Sequence, residues 1–158
     1  MDIAENLNCR ANLLDLIEGL TVTTDSRLVI SEVMVSGIQI DSRLLQKGDL
    51  FIACFGKNYD ARNFIDKAIE IGSSAVLAES SSDWEGLEFR SGVPIIAIDN
   101  LSKKISEIAS RFYDKPSERS NVIGITGTNG KTSCSHFIAR SLLGLGYKCG
   151  VIGTLGYG

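Results

Sequence analysis

With 158 residues, 44% of them hydrophobic, the chain can build one domain and part of a second, and its composition excludes a disordered polypeptide. No apolar run approaches the roughly 18 residues of a membrane span, and the acidic start Met1-Asp-Ile-Ala-Glu-Asn6 lacks the basic-then-apolar order of a signal peptide. A net charge of −3 without a basic run interleaved with aromatics argues against nucleic acid as a partner. The charge is unevenly spread: residues 119–158 hold four basic side chains and no carboxylate, which leaves twelve basic against nineteen acidic residues before them. A carboxylate-free, glycine-rich stretch suits a polyanionic ligand. The cysteines Cys9, Cys54, Cys134 and Cys149 are far apart with no Cys-x-x-Cys pair, so they read as reduced thiols of a cytoplasmic protein, mostly filling the core, rather than as a metal cluster.

The expected fold class is α/β. Asn12 to Leu20 predicts a short helix with Leu13, Leu16, Ile17 and Leu20 on one stripe. Val33 to Ile40 alternates like a strand, with a phase slip near Gly37 that suggests a bulge. Asp49 to Phe55 predicts a second strand, introduced by the turn Lys47-Gly48. Asp60 is placed to cap a helix carrying Phe64, Ile65, Ala68 and Ile69 on one face and ending at Gly72. The apolar runs Ala75–Ala78 and Pro94–Ile98 predict buried parallel strands separated by a polar loop from Glu79 to Gly92. Leu101, Ile105, Ile108 and Phe112 mark a further helix. Residues 1–115 then form a small α/β domain, and the polar segment 116–120 links it to the remaining residues, 121–158.

Residues 121–158 predict a strand at Asn121–Thr126, a glycine-rich turn, a helix from about Lys131 to Gly144 and a strand at about Cys149–Ile152. The turn lies in Gly124-Ile-Thr-Gly-Thr-Asn-Gly-Lys-Thr-Ser133. Strand, glycine turn, Lys-Thr and helix in that order suit a nucleotide phosphate chain, because glycines let the backbone approach the phosphates and the helix N-terminus offers positive potential. Lys131 would reach the terminal phosphates and the Thr132 hydroxyl would sit on Mg²⁺. The general P-loop spacing places a glycine where this chain has Ile125, so the loop is a variant flanked by Gly124 and Gly127. One such βαβ unit cannot cover both faces of its strands, so the nucleotide-binding domain is expected to be incomplete in this chain.

Two motifs at this separation resemble the Mur ligases, ATP-dependent amide ligases of peptidoglycan synthesis. Ile40-Asp-Ser-Arg43, followed by Lys47-Gly-Asp-Leu-Phe-Ile-Ala53 and Gly56, is similar to the N-terminal UDP-binding domain of the members that add the third residue and the D-Ala-D-Ala dipeptide. Arg111-Phe-Tyr-Asp-Lys-Pro-Ser117 leads into the glycine loop, and the closing Gly153-Thr-Leu-Gly156 looks more like the third-residue members. The resemblance implies a parent enzyme that phosphorylates the carboxylate of UDP-MurNAc-L-Ala-D-Glu with Mg·ATP. The amine of meso-diaminopimelate, or of L-lysine, then attacks the acyl phosphate. Carried over by position, Gly127, Thr128, Asn129, Gly130, Lys131, Thr132 and Ser133 form the ATP site, with Thr132 on Mg²⁺. Ile40 and Ser42 hold the uridine end, joined by Lys57, Asn58 and Tyr59, where Asp60-Ala61 departs from the commoner Asp-Gly. Without the later carboxylates and the C-terminal domain the chain alone is not expected to catalyse the reaction. The alternatives are the sibling that adds D-Ala-D-Ala and a nucleotide-binding module without catalysis.

Other residues have simpler readings beside the functional ones. Asp41 and Arg43 are either a turn-fixing ion pair or ligand contacts, and Gly48-Asp49 is turn chemistry. His136 lies off the stripe of Cys134, Ile138, Leu142 and Leu145 and reads as a solvated helix residue. Trp84 reads as a packing anchor, and Phe112 and Tyr113 as core and linker packing. Lys57, Arg62 and Lys67 suit either a diphosphate or a solvated helix face.

Overall fold

The computed structural model describes residues 9–20, 28–56, 60–81 and 86–157. The chain divides into two compact units, 1–119 and 120–158.

In the first unit, strand β1 (Ala11–Asn12) leads into helix α1 (Leu13–Leu16). Asn12 caps α1, its Oδ1 accepting from Leu14 N at 2.9 Å. Leu13, Leu16, Ile17 and Leu20 are all buried as the stripe requires, although the regular helix is shorter than expected. The alternation at Val33–Ile40 resolves into two strands, β2 (Met34–Val35) and β3 (Gly37–Gln39). β2 pairs antiparallel with β1, whereas β3 pairs in parallel with β4 (Asp49–Ala53). The phase slip is therefore a change of partner at Ser36 and not a bulge.

A 3-10 turn (Ala61–Phe64) precedes helix α2 (Ile65–Ile71), and Asp60 caps the turn by accepting from Arg62 N at 3.0 Å. Gly72 ends α2 with φ +100°. Then come β5 (Ala75–Glu79), β6 (Leu87–Arg90), β7 (Val93–Ile98) and α3 (Leu101–Phe112). The sheet order is β3-β4-β5-β7-β6, with β6 antiparallel to β7 and the remaining pairs parallel. The expected polar loop thus contains an edge strand, closed by the two-residue turn Ser91-Gly92 with φ of +49° and +81°. Trp84 lies outside the described residues.

Alternate residues of the central strands enter two cores. Leu50, Ile52, Leu77, Ile96 and Ile98 pack with Leu13 and Leu16 of α1 and with Leu101, Ile108 and Phe112 of α3. Phe51, Ala53, Val76, Ala78 and Ile95 pack on the other face with Ile65 and Ala68 of α2. Both faces are covered, which is why these strands read as continuous apolar runs. Arg111 ties α3 to the segment after α1, donating from Nη1 to Leu16 O at 2.9 Å and Glu18 O at 2.7 Å. α3 starts at Asn100, whose side chain makes no cap bond. Instead the carboxylate of Glu79, at the end of β5, accepts from Leu101 N at 3.0 Å and Ser102 N at 3.2 Å.

The second unit contains helix α4 (Lys131–Gly144) and a hairpin of β8 (Ile152–Gly153) with β9 (Gly156–Tyr157) around Thr154-Leu155. Two expectations are corrected here. Asn121–Thr126 forms no ladder with any described residue, because an apolar run becomes a strand only when a neighbour takes its N–H and C=O groups. The strand expected at Cys149–Ile152 is displaced to the hairpin, where Thr154-Leu155 supplies the turn. The stripe on α4 is also largely exposed: Cys134, Ile138 and Leu145 are open, Leu142 is half-buried, and only Ala139 of the helix is buried. The cysteines are free thiols. Cys9 and Cys54 are half-buried and pack against the core as expected, whereas Cys134 is exposed and Cys149 half-buried in the second unit.

A tight contact lies between β3 and β4. Gly37 stands opposite Asp49, and a Cβ at Gly37 would overlap the Asp49 carboxylate, which is buried and accepts from Gln46 N at 2.8 Å. Gly37→Ala should therefore cost about 1–3 kcal/mol in urea unfolding, and an unchanged midpoint would remove this constraint.

Candidate functional site

The glycine loop gives α4 an N-terminus without a side-chain cap. Gly130 occupies the N-cap position at φ +76°, which a side chain would strain, and no side chain bonds the first helical amides. Cys134 N is the first to find a helical partner, Gly130 O, at 2.9 Å. The amides of Lys131, Thr132 and Ser133 are thus among those an α-helix cannot satisfy itself. They join the positive end of the helix dipole at the same place. Lys131 folds back over the loop, its Nζ donating to Gly127 O at 2.5 Å and Thr128 O at 3.4 Å. An ammonium held by carbonyls in this way can exchange them for phosphate oxygens. His136 is exposed on the same helix.

For a divalent cation the local residues fit one role only. Thr132 is half-buried in the first turn and offers a single hydroxyl. No group of three His, Cys, Asp or Glu able to hold a metal occurs among the described residues, and no carboxylate follows Glu118 in the sequence. Mg²⁺ commonly binds through one or two protein oxygens, phosphate oxygens and waters, and Thr132 suits that donor set.

The second candidate region lies at the C-terminal ends of the parallel strands, where open α/β sheets bind ligands. Ile40-Asp-Ser-Arg43 follows β3. Asp41 holds the turn: Arg43 N donates to its Oδ1 at 3.0 Å, and the Arg43 guanidinium makes a bidentate pair with it at 2.9 and 2.6 Å. The pair lowers the Asp41 carboxyl from 3.8 to about 2. Ile40 is 62% exposed beside this turn, whereas Ser42 is only 8% exposed. Lys57, Asn58 and Tyr59 lie outside the described residues.

After β4 come Cys54 and Phe55, on the same edge. Burial and the Glu79 carboxylate push the Cys54 thiol up to about 11, so it stays protonated. Asp60 and Arg62 form a bidentate pair, with Nε at 2.9 Å from each carboxylate oxygen and Nη2 at 2.7 Å from Oδ2. Of the cations considered for a diphosphate, Arg62 is therefore engaged by Asp60, and Lys67 stands exposed on α2. Sequence reasoning placed Asp60 as a cap but not as the partner of Arg62, and passed over Phe55 and Glu79. The Asp-x-Arg spacing shared by positions 41/43 and 60/62 was the available signal, since both pairs close the same turn. The loop at 124–133 belongs to the second unit and the edge residues to the first.

Comparison with known proteins places these features in one family. The model for "Mur ligase family, catalytic domain" matches residues 34–113, from β2 to the end of α3. A UDP-N-acetylmuramoyl-L-alanyl-D-glutamate--2,6-diaminopimelate ligase of Coxiella burnetii is 47% identical over 133 residues, which cover 84% of this chain and 27% of that relative. A solved ligase of the same name has a TM-score of 0.64 at 21% identity, covering 94% of this chain and 28% of its own. The MurF ligase of Thermotoga maritima in complex with ADP has a TM-score of 0.53 at 25% identity, covering 68% of this chain and 23% of that one. The chain spans between 24% and 30% of the length of the curated relatives it matches. On this identity and coverage the chain belongs to the Mur ligase family.

Proposed function

We propose that this chain supplies the UDP-binding unit and the phosphate-binding loop of a cytoplasmic, ATP-dependent amide ligase. That enzyme would add meso-diaminopimelate to UDP-MurNAc-L-Ala-D-Glu in peptidoglycan synthesis. The observation that carries the reading is the uncapped N-terminus of α4, with Lys131 lying across the loop, in a chain 47% identical to a relative of that name. Gly127 to Ser133 would cradle the ATP phosphates, and Lys131 would meet the charge on the phosphoryl group as it transfers. The substrate carboxylate would attack the γ-phosphorus and displace ADP. The amine would then attack the acyl carbon and displace phosphate. Thr132 would be among the ligands of Mg²⁺, which when bound would supply charge neutralisation to the phosphates. Ile40, Ser42, Lys57, Asn58 and Tyr59 would hold the uridine end. The sibling that adds D-Ala-D-Ala is the second reading, supported by the likeness to MurF, although at lower identity.

Calorimetric titration separates the two sites. Ser42→Ala should weaken UDP-MurNAc-L-Ala-D-Glu about fivefold and leave Mg·ATP unchanged. Lys131→Ala should weaken Mg·ATP at least tenfold, the scale of one charge-assisted hydrogen bond, and leave the UDP compound unchanged. A wild-type chain that takes no UDP compound would sink the reading.

The turn that presents Ser42 depends on the Asp41 carboxylate. Because pairing lowers that group, its contribution is fully present above 3.8 and is lost as pH falls through about 2. In Arg43→Met the Asp41 midpoint followed by carbon-detected NMR should rise toward 3.8. A midpoint that stays near 2 would mean that Arg43 is not the cause.

A further inference from the structure

Phe55 is an exposed aromatic side chain that folding does not explain. It is 63% exposed, yet its position is fixed from several sides. It directly follows Cys54 at the ligand-binding edge of the sheet, and it forms an isolated antiparallel bridge with Asp60. Ala61 N donates to Cys54 O at 3.1 Å, which ties the residue before Phe55 to the residue after Asp60. The Arg62 guanidinium lies 5.5 Å from the ring centroid. Asp60 holds that guanidinium in a bidentate grip, and its Nη1 reaches Glu79 O at 3.4 Å. Arg62 therefore backs one face of a ring that stays mostly exposed.

This arrangement selects the chemistry of what it would meet. An arginine whose charge is matched by Asp60 is poorly placed to hold a diphosphate, because moving to a phosphate would strand the half-buried carboxylate. A fixed aromatic face favours a flat, neutral π-system. Ile40, following the adjacent parallel strand, exposes a second apolar side chain on the same edge.

We propose that the Phe55 ring is the stacking surface for the uracil base of the UDP-linked substrate, with the Asp60–Arg62 pair as the residues that position it. The inference rests on reading this edge as the UDP site. It assigns the base to Phe55 and leaves the diphosphate to other groups.

The test is calorimetric titration of the full chain with UDP, together with NMR of the uracil H5 and H6 protons of bound UDP. Base–aromatic stacking of about 1–3 kcal/mol corresponds to roughly a 5- to 150-fold loss for Phe55→Ala, whereas Phe55→Tyr should bind within about twofold of wild type. On the wild-type chain H5 and H6 should move upfield from the ring current, a readout that requires no variant to fold. If UDP binds but Phe55→Ala binds it equally well, or H5 and H6 do not move upfield, the stacking role is wrong and the UDP reading survives. If UDP does not bind the wild-type chain, both fall together.

Discussion

The first unit depends on a parallel ladder buried on both faces. Leu50 to Ala53 of β4 pair with Ala75 to Ala78 of β5, and Val76 to Glu79 of β5 pair with Ile95 to Ile98 of β7. With no water on either face, every N–H and C=O of these strands must be met by a neighbouring strand, so register is strongly fixed. The sheet's C-terminal edge is set by this register. Parallel neighbours end on the same side, so the segments after β3, β4, β5 and β7 emerge together. Each brings a polar or exposed group that the core cannot take: Asp41, Phe55, Glu79, and Asp99 hydrogen-bonded to Ser80. The same rigidity lets Glu79 act at a distance in sequence. As the last residue of β5 it is held where its carboxylate meets the first amides of α3, and helix and strand end are locked together.

That physics also explains what could be read from the sequence. The runs 75–78 and 94–98 were legible because burial on both faces removes the need for alternation, and Leu101, Ile105, Ile108 and Phe112 because one stripe faces one core. β6 was not, since its inner residues are few: Leu87 packs on the core, while Glu88 and Arg90 form an ion pair at the sheet's edge. The break at Ser36 was visible only as a slip in phase. Its cause, two partners for one run of sequence, is a tertiary fact. For the candidate site, the glycine loop was legible because its spacing is local, with Gly130 at positive φ opening α4 and Lys131 lying across the loop, whereas Phe55 was hidden among apolar neighbours. Its exposure depends on the turn at Asp60, which periodicity does not reveal.

The two units also treat positive charge differently, and the ligands proposed for them divide accordingly. Along the edge of the first unit each arginine beside the candidate site is matched by a carboxylate two residues before it: Arg43 by Asp41, Arg62 by Asp60. These pairs close turns through the same carboxylates, which accept from the backbone amides of Arg43 and Arg62. Their cations are committed to shape. In the second unit Lys131 meets backbone carbonyls, in a stretch with no acidic residue to compete for it. A carbonyl holds an ammonium far more weakly than a carboxylate or phosphate does, so this charge is available to an incoming polyanion. On the proposed reading, affinity for a triphosphate would be concentrated in the short loop before α4. The more acidic first unit would then recognise its proposed ligand through shape, hydrogen bonds and an aromatic face. Under the proposed function that division would help to tell a nucleotide used as fuel from one carried as a handle, because the two share phosphates and differ in the base.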